Sequence, residues 1–92
     1  MILRFRHKGL ERLFASGDAS GVNPQLAPKL RRALALLQHA REASALDLPG
    51  YRLHPLKGER RGQWSVTMSG NWRLVFEFDG EHATNVDLVD YH

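Results

Sequence analysis

From Tyr51 onward the chain alternates apolar and polar residues with a period of two, and this pattern decides most of what it can fold into. Tyr51 and Leu53 alternate with Arg52 and His54. Trp64, Val66 and Met68 alternate with Gln63, Ser65, Thr67 and Ser69, and Trp72, Leu74, Phe76 and Phe78 form a third row. Ser69-Gly70-Asn71 and Asp79-Gly80 stand between these runs and carry tight-hairpin chemistry, so the last strands are expected to form an antiparallel meander ending in residues 82–89. One-sided rows of this kind need a cover.

The first half supplies it. Leu10, Leu13 and Phe14 sit at helical spacing between Lys8 and Ser16, and Gly17 follows as a left-handed C-cap. Asn23 is expected to cap a second helix with Pro24 in its first position and a stripe of Leu26, Leu30, Ala33, Leu34 and Leu37, running to about Ala40. Pro28 is the misfit in that stretch. Residues 1–6 alternate weakly, as an edge strand would, and Asp47-Leu48-Pro49-Gly50 marks the turn between halves. The expected fold is α+β in the order β-α-α-β-β-β-β, one small domain over residues 1–92. Two helices cover one face of a mainly antiparallel sheet, leaving Arg52, His54, Ser65, Thr67 and Arg73 on the open face.

The charge is uneven. Residues 1–61 carry twelve Lys or Arg against five acids, whereas Arg73 alone stands against five acids in residues 62–92. A polyanion would meet the first part, because phosphate attraction needs only local positive charge. With no cysteine, a disulfide framework and thiolate metal sites are excluded, and a cytoplasmic location is expected. The longest apolar run, Ala33 to Leu37, is too short to span a bilayer, so no membrane partner is expected. His7, His39, His54, His82 and His92 are scattered without ligand spacing, and no glycine-rich phosphate cradle or Gly-x-Ser-x-Gly elbow occurs; neither a metal nor a cofactor is expected. His39 reads as a cation at a helix end, His7 and His82 as surface residues.

Three short stretches carry the remaining chemistry: His54-Pro55-Leu56-Lys57-Gly58, Asn71-Trp72-Arg73 and Asp90-Tyr91-His92. Metal-free RNA cleavage needs a base for the ribose 2′-hydroxyl proton, an acid for the leaving 5′-oxygen and cations for the phosphorane charge. His54 and His92 are proton-transfer candidates. Asp90 can orient a histidine, Tyr91 can stack on a base or donate a proton, and Lys57 and Arg73 can hold phosphate. The same residues also suit a plainer protein, with Trp72 in the core and a solvated tail. Strand parity separates Tyr91 from Asp90 and His92, so the three converge only if the chain end twists or bulges.

Phe5-Arg6-His7-Lys8-Gly9-Leu10, Leu53-His54-Pro55-Leu56-Lys57-Gly58, Trp64-Ser65-Val66-Thr67 with Asn71-Trp72-Arg73, and Asp90-Tyr91-His92 closely resemble HigB toxins of the RelE/ParE superfamily, across the whole chain. The resemblance implies a type II toxin-antitoxin toxin: a ribosome-dependent endoribonuclease that cuts mRNA in the 30S A site. It also implies neutralisation by a helix-turn-helix antitoxin of the HigA kind, with operator DNA reached only through that antitoxin. By the same resemblance His54, Asp90, Tyr91 and His92 are linked to activity, and Lys57, Asn71 and Arg73 match the basic and polar margin of the site. The rival expectation is a non-catalytic toxin of the ParE kind, a gyrase poison, or a module acting only as co-repressor of its own operon.

Overall fold

The computed structural model describes residues 1–91; His92 lies outside them. Helix α1 spans Lys8–Ser16 and helix α2 spans Ala27–His39. A 3₁₀ turn, Ala43–Leu46, follows, then strand β1 (His54–Pro55), a second 3₁₀ turn (Gly58–Arg60), and strands β2 (Trp64–Ser69), β3 (Trp72–Asp79) and β4 (His82–Asp90). The four strands pair antiparallel in the order β1-β2-β3-β4. Residues 1–6 run parallel to β4 along the free edge. They touch it through bridges Ile2 to Ala83 and Phe5 to Val86, with Leu3 N–H donating to the Ala83 carbonyl and Arg6 N–H to the Val86 carbonyl, each at 2.8 Å.

Leu10 and Leu13 of α1 and Leu30, Ala33, Leu34 and Leu37 of α2 form one buried cluster with Val66, Met68, Leu74, Phe76, Val86 and Leu88 of the sheet. The helical stripe and the strand rows are thus two halves of one core, the arrangement each requires because neither can hide its apolar face alone. No helix among the described residues is long and apolar enough to cross a membrane.

Two local expectations change. Helix α2 starts at Ala27, with Pro28 inside its first turn where a missing N–H costs nothing, so Pro28 fits. Asn23 instead closes a separate turn: its Oδ1 accepts from Gln25 N–H at 2.9 Å and its carbonyl from Leu26 N–H at 2.9 Å. His7, expected at the surface, is half-buried as the N-cap of α1, its Nδ1 accepting the Leu10 N–H at 3.1 Å. Just inside that cap, a Cβ on Gly9 would come within 2.2 Å of the Gly21 carbonyl oxygen. Glycine is what lets α1 start against the loop leading to α2.

Candidate active site

The open face of the sheet is defined by register. His54 pairs with Ser65, Ser65 with Val75 and Val75 with Asp87; one step along, Thr67 pairs with Arg73 and Arg73 with Val89. Because cross-strand partners share a face, His54, Ser65, Thr67, Val75, Arg73, Asp87 and Val89 lie on one side, opposite the helices. With strands about 4.8 Å apart and residues about 3.4 Å apart along a strand, the Cα atoms of His54 and Arg73 stand roughly 12 Å from each other on this face. The face is less open than expected, because Ser65 and Val75 on it are fully buried while His54 is exposed and Arg73 half-buried.

His54 opens β1, and its ring is held from behind. Its Nδ1 lies 3.0 Å from the carbonyl oxygen of Arg52. A carbonyl can only accept, so Nδ1 carries the hydrogen and donates, which in the neutral ring leaves Nε2 as the unprotonated nitrogen. The loop from Leu56 to Gln63 follows, closed by Leu56 N–H donating to the Gln63 carbonyl at 2.9 Å, and it carries Lys57, Arg60 and Arg61 exposed beside β1. Lys57 and His54 therefore belong to the same edge.

Arg73, Asn71 and Tyr91 form the second group. Nη1 of Arg73 donates to the carbonyls of Gly70 at 2.7 Å and Trp72 at 3.2 Å, which holds the guanidinium over the β2–β3 turn, and its Cζ stands 5.9 Å from the centroid of the Tyr91 ring. The Tyr91 N–H donates to the Asn71 carbonyl at 2.8 Å. Pairing thus extends one residue past β4 and ties down Tyr91. Asp90 pairs with Trp72, out of phase with Tyr91, because the only shift of register in β4 lies upstream, between the partners of Val75 and Glu77. The parity split among the terminal residues remains within the described part, and the position of His92 lies outside it.

Sequence reasoning missed a polar group further along the face. Glu77 Oε2 accepts from Gln63 Nε2 at 3.4 Å and from Asn85 Nδ2 at 3.3 Å, and Asn85 occupies the left-handed region with φ 50°. Asparagine tolerates that conformation, and its interruption of the apolar alternation in β4 was the available signal. The side-chain oxygen of Ser65 is buried without a hydrogen-bond partner among the described residues.

Residues 3–92 match the family described as RelE-like toxin of type II toxin-antitoxin system HigB. The chain belongs to the HigB-like toxin family. It is 42% identical over 92 residues, the full length of both chains, to a protein named Endoribonuclease HigB from Proteus vulgaris. Among solved structures it resembles a YoeB/ParE toxin from Agrobacterium tumefaciens, with a TM-score of 0.56 and 17% identity, covering 100% of this chain and 99% of that one. At that identity the likeness speaks for the fold, two helices on one face of an antiparallel sheet. This member of the HigB-like family is a type II toxin, and such a toxin has an antitoxin as partner.

Proposed function

We propose that the 92 residues act as one toxin domain that cleaves mRNA on the ribosome by metal-independent acid–base chemistry. The observation that carries this reading is the exposed His54, whose Nδ1 is engaged by a backbone carbonyl, which leaves Nε2 as the proton acceptor of the neutral ring. A relative 42% identical over its whole length bears the name of an endoribonuclease, which supports the reaction class.

In the proposed mechanism Nε2 of His54 takes the ribose 2′-hydroxyl proton, and the 2′-oxygen attacks the adjacent phosphorus. The 5′-oxygen leaves with a proton from an acid, and His92 and Tyr91 are the candidates for that step. Arg73 has Nη1 committed to the turn carbonyls, which leaves its other donors for a non-bridging phosphate oxygen, and Lys57 approaches as a point charge from the loop. Tyr91, in cation–π contact with Arg73, offers a face for a base. Asn71 holds the chain end, and Asp90 is assigned to orienting a histidine. The ribosomal A site supplies the substrate strand, the cytoplasm is the compartment, and a HigA-like helix-turn-helix protein is the antitoxin, through which operator DNA is reached.

Primer extension on a translated message, with and without the protein, tests this. Breaks confined to ribosome-bound RNA and lost in His54→Ala are expected. Intact RNA together with arrested DNA gyrase would replace the reading with that of a gyrase poison.

A further inference from the structure

Arg52 is held in the left-handed region with φ 51°, and with Asn85 it is one of two non-glycine residues of positive φ among the described residues. Asparagine visits that region readily, whereas arginine rarely does. The surrounding structure enforces it. Tyr51 before it is buried in the core, with its carbonyl accepting the Thr67 N–H at 2.6 Å, and Leu53 after it packs against the same core. Three steps separate Tyr51 from His54 while two separate Thr67 from Ser65, so this side of the β1–β2 pairing carries one extra residue. An extra residue is accommodated as a bulge, which lets the pairs on either side keep their partners while the left-handed residue itself is strained.

We propose that Arg52 is a positioning residue for His54, acting through its main-chain carbonyl: the left-handed turn at position 52 aims that oxygen at Nδ1 and so fixes His54 in the tautomer that leaves Nε2 unprotonated. The proposal rests on the reading of His54 as the proton acceptor. It assigns the strain a purpose, since an extended residue at 52 would turn its carbonyl elsewhere and release the ring, and neutral histidine would then populate the other tautomer, whose Nε2 already carries a proton. The guanidinium has no part in this. Backbone conformation, and not charge, should therefore rank the variants.

The test compares Arg52→Gly, Arg52→Asn and Arg52→Val with His54→Ala in the full-length protein. Glycine and asparagine accept the left-handed region, and β-branched valine resists it. Nitrogen-15 NMR of the imidazole reads the tautomer, with the His54 signal identified by its loss in His54→Ala, and primer extension on translating ribosomes reads cleavage. Arg52→Gly and Arg52→Asn are expected to keep the Nδ1–H signature and to cleave within about threefold of the parent, whereas Arg52→Val loses the signature and at least about tenfold in rate, by analogy with the loss when a group that orients a metal-ligating histidine is removed. Equal losses in all three would overturn the proposal in favour of the guanidinium. Wild-type cleavage in a folded Arg52→Val with an altered tautomer would also overturn it, while an inactive His54→Ala would leave the functional reading standing. An active His54→Ala would remove that reading, and the NMR comparison would still decide whether position 52 sets the tautomer. Should Arg52→Val fail to fold, Arg52→Gly decides alone: it supports the proposal if signature and cleavage persist and overturns it if either is lost.

Discussion

Replacing Arg73 by alanine separates holding the fold from holding RNA. The side chain is half-buried, donates through Nη1 to two carbonyls of the β2–β3 turn, and lies 5.9 Å from the Tyr91 ring centroid. The cation–π contact at this partly exposed site contributes about 0.5–1 kcal/mol. The hydrogen bonds to the turn, discounted for their exposure, add on the order of 1 kcal/mol. A loss of about 1–2 kcal/mol lowers the melting temperature of a domain this size by roughly 4–16 °C, yet small domains hold about 5–15 kcal/mol, so the variant stays folded at 25 °C. An effect on RNA that changes the salt dependence then belongs to the phosphate contact, because loosening Tyr91 would weaken binding without changing that slope. Removing one such contact on a single strand should flatten the slope of log affinity against log salt by about 0.7. Arg73→Lys should keep the slope and lose part of the stability, since lysine retains the charge without the planar fork. Thermal melts and ribosome binding across a salt series measure both. An unchanged slope in a folded Arg73→Ala would show that Arg73 only clamps the turn and Tyr91, and the phosphate role would have to be withdrawn.

His54→Ala should melt within about 0.5 kcal/mol of the parent, because the side chain is exposed, while cleavage falls by roughly 10²- to 10⁴-fold; wild-type cleavage would exclude His54 from proton transfer. Gly9→Ala gains about 1 kcal/mol of helix propensity but drives a Cβ to 2.2 Å from the Gly21 carbonyl oxygen, so the overpacking cost of about 1–3 kcal/mol or more should win and urea melts should show net destabilisation. A stabilised Gly9→Ala would mean the joint between α1 and the following loop opens freely. Ser65→Ala removes a buried hydroxyl that lacks a partner among the described residues, and stability should rise by about 1 kcal/mol; a clear loss in calorimetry would mean the hydroxyl is satisfied in solution.

Much of the molecule was legible in the chain itself because the signals were periodic and local. The alternation after Tyr51 and the glycine turns at Gly70 and Gly80 correspond to β2, β3 and β4, and the leucine spacing corresponds to the two helices. The resemblance of the His54, Arg73 and chain-terminal motifs to HigB toxins led to the family that residues 3–92 match. Where two local signals competed, neighbours decided: Asn23-Pro24 and Ala27-Pro28 can each open a helix, and the hydrogen bonds of Asn23 spend the first pair on a turn.

What sequence spacing does not contain is the register between strands and the cost of an extra residue in one of them. Whether Arg73 meets Tyr91 depends on Arg73 pairing with Val89 and on Tyr91 reaching the Asn71 carbonyl, contacts between residues distant in the chain. The left-handed turn at Arg52 is the clearest case, because an arginine gives no local sign of positive φ. Only the burial of Tyr51 and Leu53 on either side, together with the fixed pairing of His54 with Ser65, leaves one residue too many between them and turns its carbonyl toward the histidine ring. Periodicity determines which face a residue takes, whereas the conformation of a residue caught between two anchored neighbours is set by the packing of both.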